Sequence, residues 1–170
     1  VEGTVWSAFG TSGQRCTAAS RVIVHRAVYD ELRSRLVAEV EKLRLGPGWE
    51  ADTDVGPVIN AKALEKIHSY TEIGKSEGAR LAAGGERLTR DKEGYYLSPA
   101  LFTAAHNGMR IAREEIFGPV ACVIRAKDYD EALALANDTE FGLCTGIVTT
   151  SLKHAAHFKR HAQAGMVMVN

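Results

Sequence analysis

Residues 7–25 read Ser7-Ala8-Phe9-Gly10-Thr11-Ser12-Gly13-Gln14-Arg15-Cys16-Thr17-Ala18-Ala19-Ser20-Arg21-Val22-Ile23-Val24-His25. The β-branched run from Arg21 to His25 suits a short buried strand. The approach to it carries two glycines, which let a backbone turn sharply and come close to a ligand. A loop that runs through Thr17, Ala18 and Ala19 into a short helix would leave backbone N–H groups free near Cys16. Such donors stabilise a thiolate, and later the oxyanion of a carbonyl that the sulfur attacks. The plain alternative is a small buried cysteine in a tight turn.

Outward from this stretch, Tyr29, Leu32, Leu36, Val40 and Leu43 recur at helical spacing. They predict an amphipathic helix that ends at Gly46-Pro47-Gly48. A turn-rich segment over 49–60 leads to a second helix over 61–76, with Leu64, Ile67 and Ile73 inward and Gly78 closing it. Arg80-Leu81-Ala82-Ala83 predicts a short strand, and a Lys92-Glu93-Gly94 turn leads to another over 95–102, which Pro99 interrupts and places partly at an edge. A helical turn near 109–114 precedes Val120-Ala121-Cys122-Val123-Ile124, an apolar run of a strand covered on both faces. Asp128 and Glu131 form a capping box for a helix to about Asn137, and a strand over 142–149 follows. Ser151 caps a last helix, and Gly165 releases the chain into a terminal strand. Strands alternating with helices of this length predict an α/β fold, with a largely parallel sheet and helices on both faces.

The chain has 170 residues, enough for one domain with a sizeable core. Its 21 basic and 21 acidic residues cancel, so charge supports neither a nucleic-acid nor an anionic-membrane partner. No apolar run reaches the roughly 18 residues of a membrane span, and a cytoplasmic protein is expected. Cys16, Cys122 and Cys144 lie far apart without a CxxC or Cys/His pairing. They suggest neither zinc nor a disulfide framework and read as reduced thiols. The chain begins without methionine and ends on Val167-Met168-Val169-Asn170, which reads as a strand cut short in a longer polypeptide.

A second distinctive stretch is Arg113-Glu114-Glu115-Ile116-Phe117-Gly118-Pro119-Val120. In an extended segment Glu115 and Phe117 point to one side, just before a Gly-Pro turn. Taken alone, it reads as acidic residues finishing a helix and an aromatic plugging the core. Together with Gly13-Gln14-Arg15-Cys16 it resembles the aldehyde dehydrogenase superfamily, whose nucleophile motif and downstream Glu-x-Phe-Gly-Pro signature stand in this order and at this separation. The likeness extends to Asp54-Val55-Gly56-Pro57, Gly84-Gly85, Gly94-Tyr95-Tyr96, Asn137, Phe141-Gly142-Leu143 and Ala164-Gly165.

The resemblance implies that residues 1–170 are a catalytic domain, with Cys16 as the nucleophile. It implies that Glu115 accepts hydrogen bonds from the nicotinamide ribose and that Phe117 packs beside the ring of NAD or NADP. The family's dinucleotide-binding domain, its catalytic glutamate in a Glu-Leu-Gly-Gly-type motif and its oxyanion asparagine precede the cysteine and are not found in this sequence. The Pro-Phe-Gly-Gly segment that follows the last strand is not found either. The implied reaction oxidises an aldehyde to a carboxylic acid through a thiohemiacetal and a thioester. The surroundings of Cys16 and Gly165-Met166-Val167-Met168-Val169-Asn170 look most like semialdehyde dehydrogenases such as those acting on 2-oxoglutarate semialdehyde. Arg15 then either faces a substrate carboxylate or is tied to backbone or to another domain, and Lys66, near where some members place a cofactor-contacting lysine, reads rather as a solvated helix lysine. An acylating enzyme using coenzyme A and a non-catalytic assembly domain remain alternatives. The family also implies homo-oligomers joined through sheet edges. By itself the chain is expected to fold, to associate, and to make no NADH.

Overall fold

The run Arg21–His25 forms strand β1 of a four-stranded sheet, in a computed structural model that describes residues 1–90 and 93–170. Chain order is α1 (Glu2–Phe9), β1, α2 (Tyr29–Val40), α3 (Ala61–Ser76), β2 (Arg80–Ala83), β3 (Arg87–Leu88), β4 (Tyr96–Leu97) and β5 (Ala100–Ala105). It continues with α4 (Arg110–Arg113), β6 (Val120–Ala126), α5 (Tyr129–Asn137), β7 (Cys144–Ile147), α6 (Leu152–His161) and β8 (Met166–Val169). The central sheet has the order β1-β6-β5-β2. β1, β6 and β5 are parallel, and β2 is an antiparallel edge. β3–β4 and β7–β8 are separate two-stranded sheets, antiparallel and parallel respectively.

The strand period of two sorts apolar side chains into two cores, one on each face of the central sheet. Leu101, Ala121 and Val123 meet Phe9 of α1 and Leu36 and Val40 of α2 on one face. Ala100, Phe102, Cys122 and Ile124 meet Ile67 of α3 and Ile111 of α4 on the other. Strand β6 is therefore buried on both sides, as its unbroken apolar sequence predicts, and the α/β fold with helices on both faces is the one found. Each fully buried Val or Leu contributes about 1.5–3 kcal/mol, so the middle of this sheet is the hardest part to perturb.

Helix starts follow their caps: Asn60, Asp128 and Ser151 each accept a backbone N–H three residues on. Helix α2 stops at Val40 rather than running on to Gly46, because Arg44 is captured by the Asp54 carboxylate, and Leu45 bridges to Val55. In α3 the buried face is Ile67, Tyr70, Thr71 and Gly74, while Leu64 and Ile73 are half-buried. The strand expected over 95–102 is broken in two at Ser98-Pro99. Its second half is not at an edge: β5 lies inside the sheet between β6 and β2, and the proline sits where the chain passes from one sheet to the next. β7 is shorter than the expected strand over 142–149. Helix α1 and strand β3 have no counterpart in the sequence reading. Lys92 of the expected turn at 92–94 lies outside the described residues. Among the described residues no helix is long and apolar enough to cross a membrane.

Candidate active site

The loop that carries Cys16 precedes β1, and the segment 114–119 precedes β6. Since β1 and β6 are parallel neighbours, with Arg21 opposite Cys122, both loops emerge at the same N-terminal end of the sheet. Two stretches remote in sequence are thereby placed side by side. They touch at their glycines: Gly13 adopts φ +62°, and a Cβ added there would overlap the carbonyl of Gly118. A Cβ on Gly118 would in turn strike the buried side chain of Ile67. Only glycine fits this backbone-to-backbone approach.

The other flank of the Cys16 loop is pinned to the segment 55–60. Ser12 Oγ donates to the Gly56 carbonyl at 2.9 Å, and Gln14 Oε1 accepts the Ile59 N–H at 2.9 Å. Sequence reasoning missed both ties, since neither partner is a neighbour in the chain. The short helix expected after Cys16 is absent. A single turn, Ala18 N–H to Arg15 O at 2.9 Å, takes its place, and the Ala19 N–H is held by the Ser7 carbonyl at 3.1 Å. With β1 starting at Arg21, there is no room for more. Cys16 is exposed on this turn. Among the described residues, its N–H donates to no backbone carbonyl, which leaves it free for an oxyanion.

On the facing segment, Glu115 and Phe117 are exposed on either side of buried Ile116. Phe117 has φ +57°, a left-handed conformation that costs a non-glycine residue roughly 1–3 kcal/mol. Lys66 of α3 donates to the Glu115 carbonyl at 2.9 Å. It thus holds the segment's backbone while remaining exposed, as a helix lysine was expected to be. Glu114 supplies a second brace, with Arg110 Nε donating to it at 2.8 Å and the Tyr70 hydroxyl at 2.5 Å.

The Arg110 guanidinium, and then the Tyr70 hydroxyl, hold the Glu114 carboxyl at about 2. A folded pKa below the unfolded one, about 4.3, means that this brace stabilises fully above roughly pH 4.5 and is lost as pH falls toward 2. Acid unfolding of Glu114→Gln beside the wild type is therefore expected to show a stability gap near neutrality that closes across that window. A gap independent of pH would mean that the brace does not act through the charge.

The other thiols differ. Burial pushes the Cys122 thiol up to about 12. Cys144, at the start of β7, is half-buried with its Sγ 3.7 Å from the carbonyl of Thr17, the residue after Cys16. The Arg15 guanidinium lies over the Trp6 ring, 4.8 Å from its centroid. Its Nε is buried without a partner among the described residues. His154 stacks on Tyr129, whose hydroxyl meets His157 Nδ1 at 2.9 Å. Among the described residues no cluster of three or more His, Cys, Asp or Glu could hold a metal ion.

An exposed thiol on a pinned turn, with an unpaired N–H, can attack a carbonyl and stabilise the resulting oxyanion. The exposed carboxylate and aromatic ring on the adjacent loop suit a ligand that carries hydroxyls and a flat ring. A carboxylate that can accept hydroxyls and a ring that can cover a flat heterocycle are groups that fit a nicotinamide riboside.

The profile described as "Aldehyde dehydrogenase family" matches residues 1–170. The 1-pyrroline-5-carboxylate dehydrogenase of Staphylococcus epidermidis is 46% identical over 154 residues, covering 91% of this chain and 29% of that protein. The 2,5-dioxopentanoate dehydrogenase of Saccharolobus solfataricus is 42% identical over 170 residues, which is all of this chain and 35% of that protein. Among solved structures, betaine aldehyde dehydrogenase from Staphylococcus aureus in complex with NAD+ superposes with a TM-score of 0.96 at 35% identity, over 99% of this chain and 34% of that one. The chain thus spans about a third of the length of the curated relatives it matches.

Proposed function

Since this chain belongs to the aldehyde dehydrogenase family, we propose that it is the catalytic domain of an NAD(P)-dependent aldehyde dehydrogenase. In this reading Cys16 is the nucleophile, and Glu115 and Phe117 position the cofactor. The observation that supports it is the meeting of the two loops at Gly13 and Gly118, on loops that also carry exposed Cys16, Glu115 and Phe117.

The Cys16 thiolate attacks the aldehyde carbonyl and forms a thiohemiacetal, whose oxyanion takes the free Cys16 N–H. When bound, the nicotinamide supplies the hydride acceptor. Glu115 would receive the ribose hydroxyls, and exposed Phe117 would pack beside the ring. The thioester left on Cys16 is then released by water. The base that activates the water, and most of the dinucleotide site, are supplied outside these residues, so the 170 residues alone make no NADH. Similarity to a 2,5-dioxopentanoate dehydrogenase favours a semialdehyde whose far end is a carboxylate. Arg15, with its unpartnered Nε, is the cation nearest in sequence to the thiol. Exposed Met166, Met168 and Val169 on β8 offer apolar surface for a homo-oligomer in the cytoplasm.

Brief iodoacetamide treatment of the folded protein is expected to modify Cys16 first, Cys144 more slowly and Cys122 last, as their exposures order them. In the intact enzyme, acid quenching during turnover should leave an acyl group on that same cysteine. Equal labelling of all three thiols, or an acyl group on Cys144, would overturn the assignment.

A further inference from the structure

We propose that Cys144 is a resolving partner for Cys16, so that oxidation of the reactive thiol by a peroxide ends in a reversible Cys16–Cys144 disulfide. The proposal rests on the reading of Cys16 as the reactive thiol. It starts from a placement that sequence conceals: residues 128 positions apart in the chain meet where β7 packs against the Cys16 loop. Cys144 Sγ already sits 3.7 Å from the Thr17 carbonyl, one residue from Cys16.

A disulfide needs Cα atoms within about 7 Å and side chains that can face one another. Cys144 is held at the start of a strand by its pairing with Met166, and Cys16 sits exposed on a pinned turn. The group that has to turn is the Cys144 side chain, from the Thr17 carbonyl toward the neighbouring residue. Burial, and then the charge on Cys16, push the Cys144 thiol up, with Arg15 opposing. Cys144 is thus the less reactive of the two, which leaves the first attack to exposed Cys16, and Cys144 gives up its proton as it attacks in the second step. Cys122, in the core of the sheet, can take no part.

The chemistry balances with hydrogen peroxide as oxidant. The Cys16 thiolate attacks one peroxide oxygen, forming S–O as O–O breaks, and the leaving hydroxide takes a proton to become water. Cys144 sulfur then attacks the sulfenic sulfur: S–S forms, S–O breaks, and a second water leaves with the thiol proton. Two thiols are oxidised by two electrons, and one peroxide is reduced to two waters. Without Cys144, the sulfenic acid would go on to the sulfinic acid, which thiols do not reverse.

The test uses purified protein carrying this chain, without cofactor, treated with a small excess of hydrogen peroxide and digested with trypsin under non-reducing conditions. A linked pair of peptides, 16–21 and 128–153, is expected, with loss of two hydrogens. Iodoacetamide labelling of Cys16 should recover almost fully with dithiothreitol. In Cys144→Ser that recovery should fall by about tenfold while the 16–21 peptide gains two oxygens. Equal recovery in both proteins, or a wild type that reaches the sulfinic acid without any linked peptide, overturns the proposal. Alkylation before peroxide separates the two ideas: slow, unselective labelling of Cys16 counts against the functional reading, whereas its selective labelling without a linked peptide counts against the disulfide alone.

Discussion

Cys16→Ala is expected to abolish aldehyde-dependent NADH formation by the enzyme that carries this chain, with turnover falling on the order of 10⁴-fold or more. The size follows from the chemistry, because without sulfur no thiohemiacetal forms, and hydride would have to leave an unactivated carbonyl or its hydrate. The fold should be untouched. Cys16 is exposed, and removing an exposed side chain changes stability by no more than about 0.5 kcal/mol. Steady-state rates with a panel of aldehydes, read beside a thermal melt of each protein, separate the two effects. A variant that keeps even a tenth of the activity would move the nucleophile elsewhere, and Cys144 would be the next residue to replace.

Gly13→Ala is expected to be the most damaging single methyl in the neighbourhood of the site. The residue has φ +62°, where an L side chain costs roughly 1–3 kcal/mol. The added carbon would also overlap the Gly118 carbonyl, and backbone cannot rotate away as a side chain can. Overpacking adds about 1–3 kcal/mol more, so a loss of roughly 2–6 kcal/mol is expected in denaturant unfolding. Relief comes only if the Cys16 loop separates from the 115–119 segment. That movement should slow turnover beyond what the stability change explains. Gly48→Ala is the control, since nothing lies within 4 Å of a Cβ there. Equal stability of the Gly13 and Gly48 variants would show that the two loops do not meet as described.

Much of this protein was legible in its sequence, for reasons that are local. β-branched runs at Arg21–His25 and Val120–Ala126, with capped helices at Asn60, Asp128 and Ser151, carry their structure within a few residues, so period and caps sufficed. The family resemblance likewise rested on two short motifs and their order. The sequence also anticipated that Glu115 and Phe117 would stand out from the core around Ile116, though Phe117 does so in a left-handed rather than an extended conformation.

What only the tertiary structure decided depends on contacts between distant residues. The end of α2 at Val40 is set by the meeting of Arg44 with Asp54 and of Leu45 with Val55, which no propensity records. The proline at 99 marks a change of sheet rather than an edge because β5 is enclosed by β6 and β2. The need for glycine at positions 13 and 118 appears only when the parallel register of β1 and β6 brings their leading loops to one end. Ser12, Gln14 and Lys66 look like ordinary polar residues until the backbone groups they bind, some 44 to 49 residues away, are in place. Cys144, one of three scattered cysteines in the sequence, lies against the residue after Cys16 because β7 pairs with β8 beside that loop. Side chains declare their partners locally only when those partners are near in the chain; the rest are chosen by strand pairing.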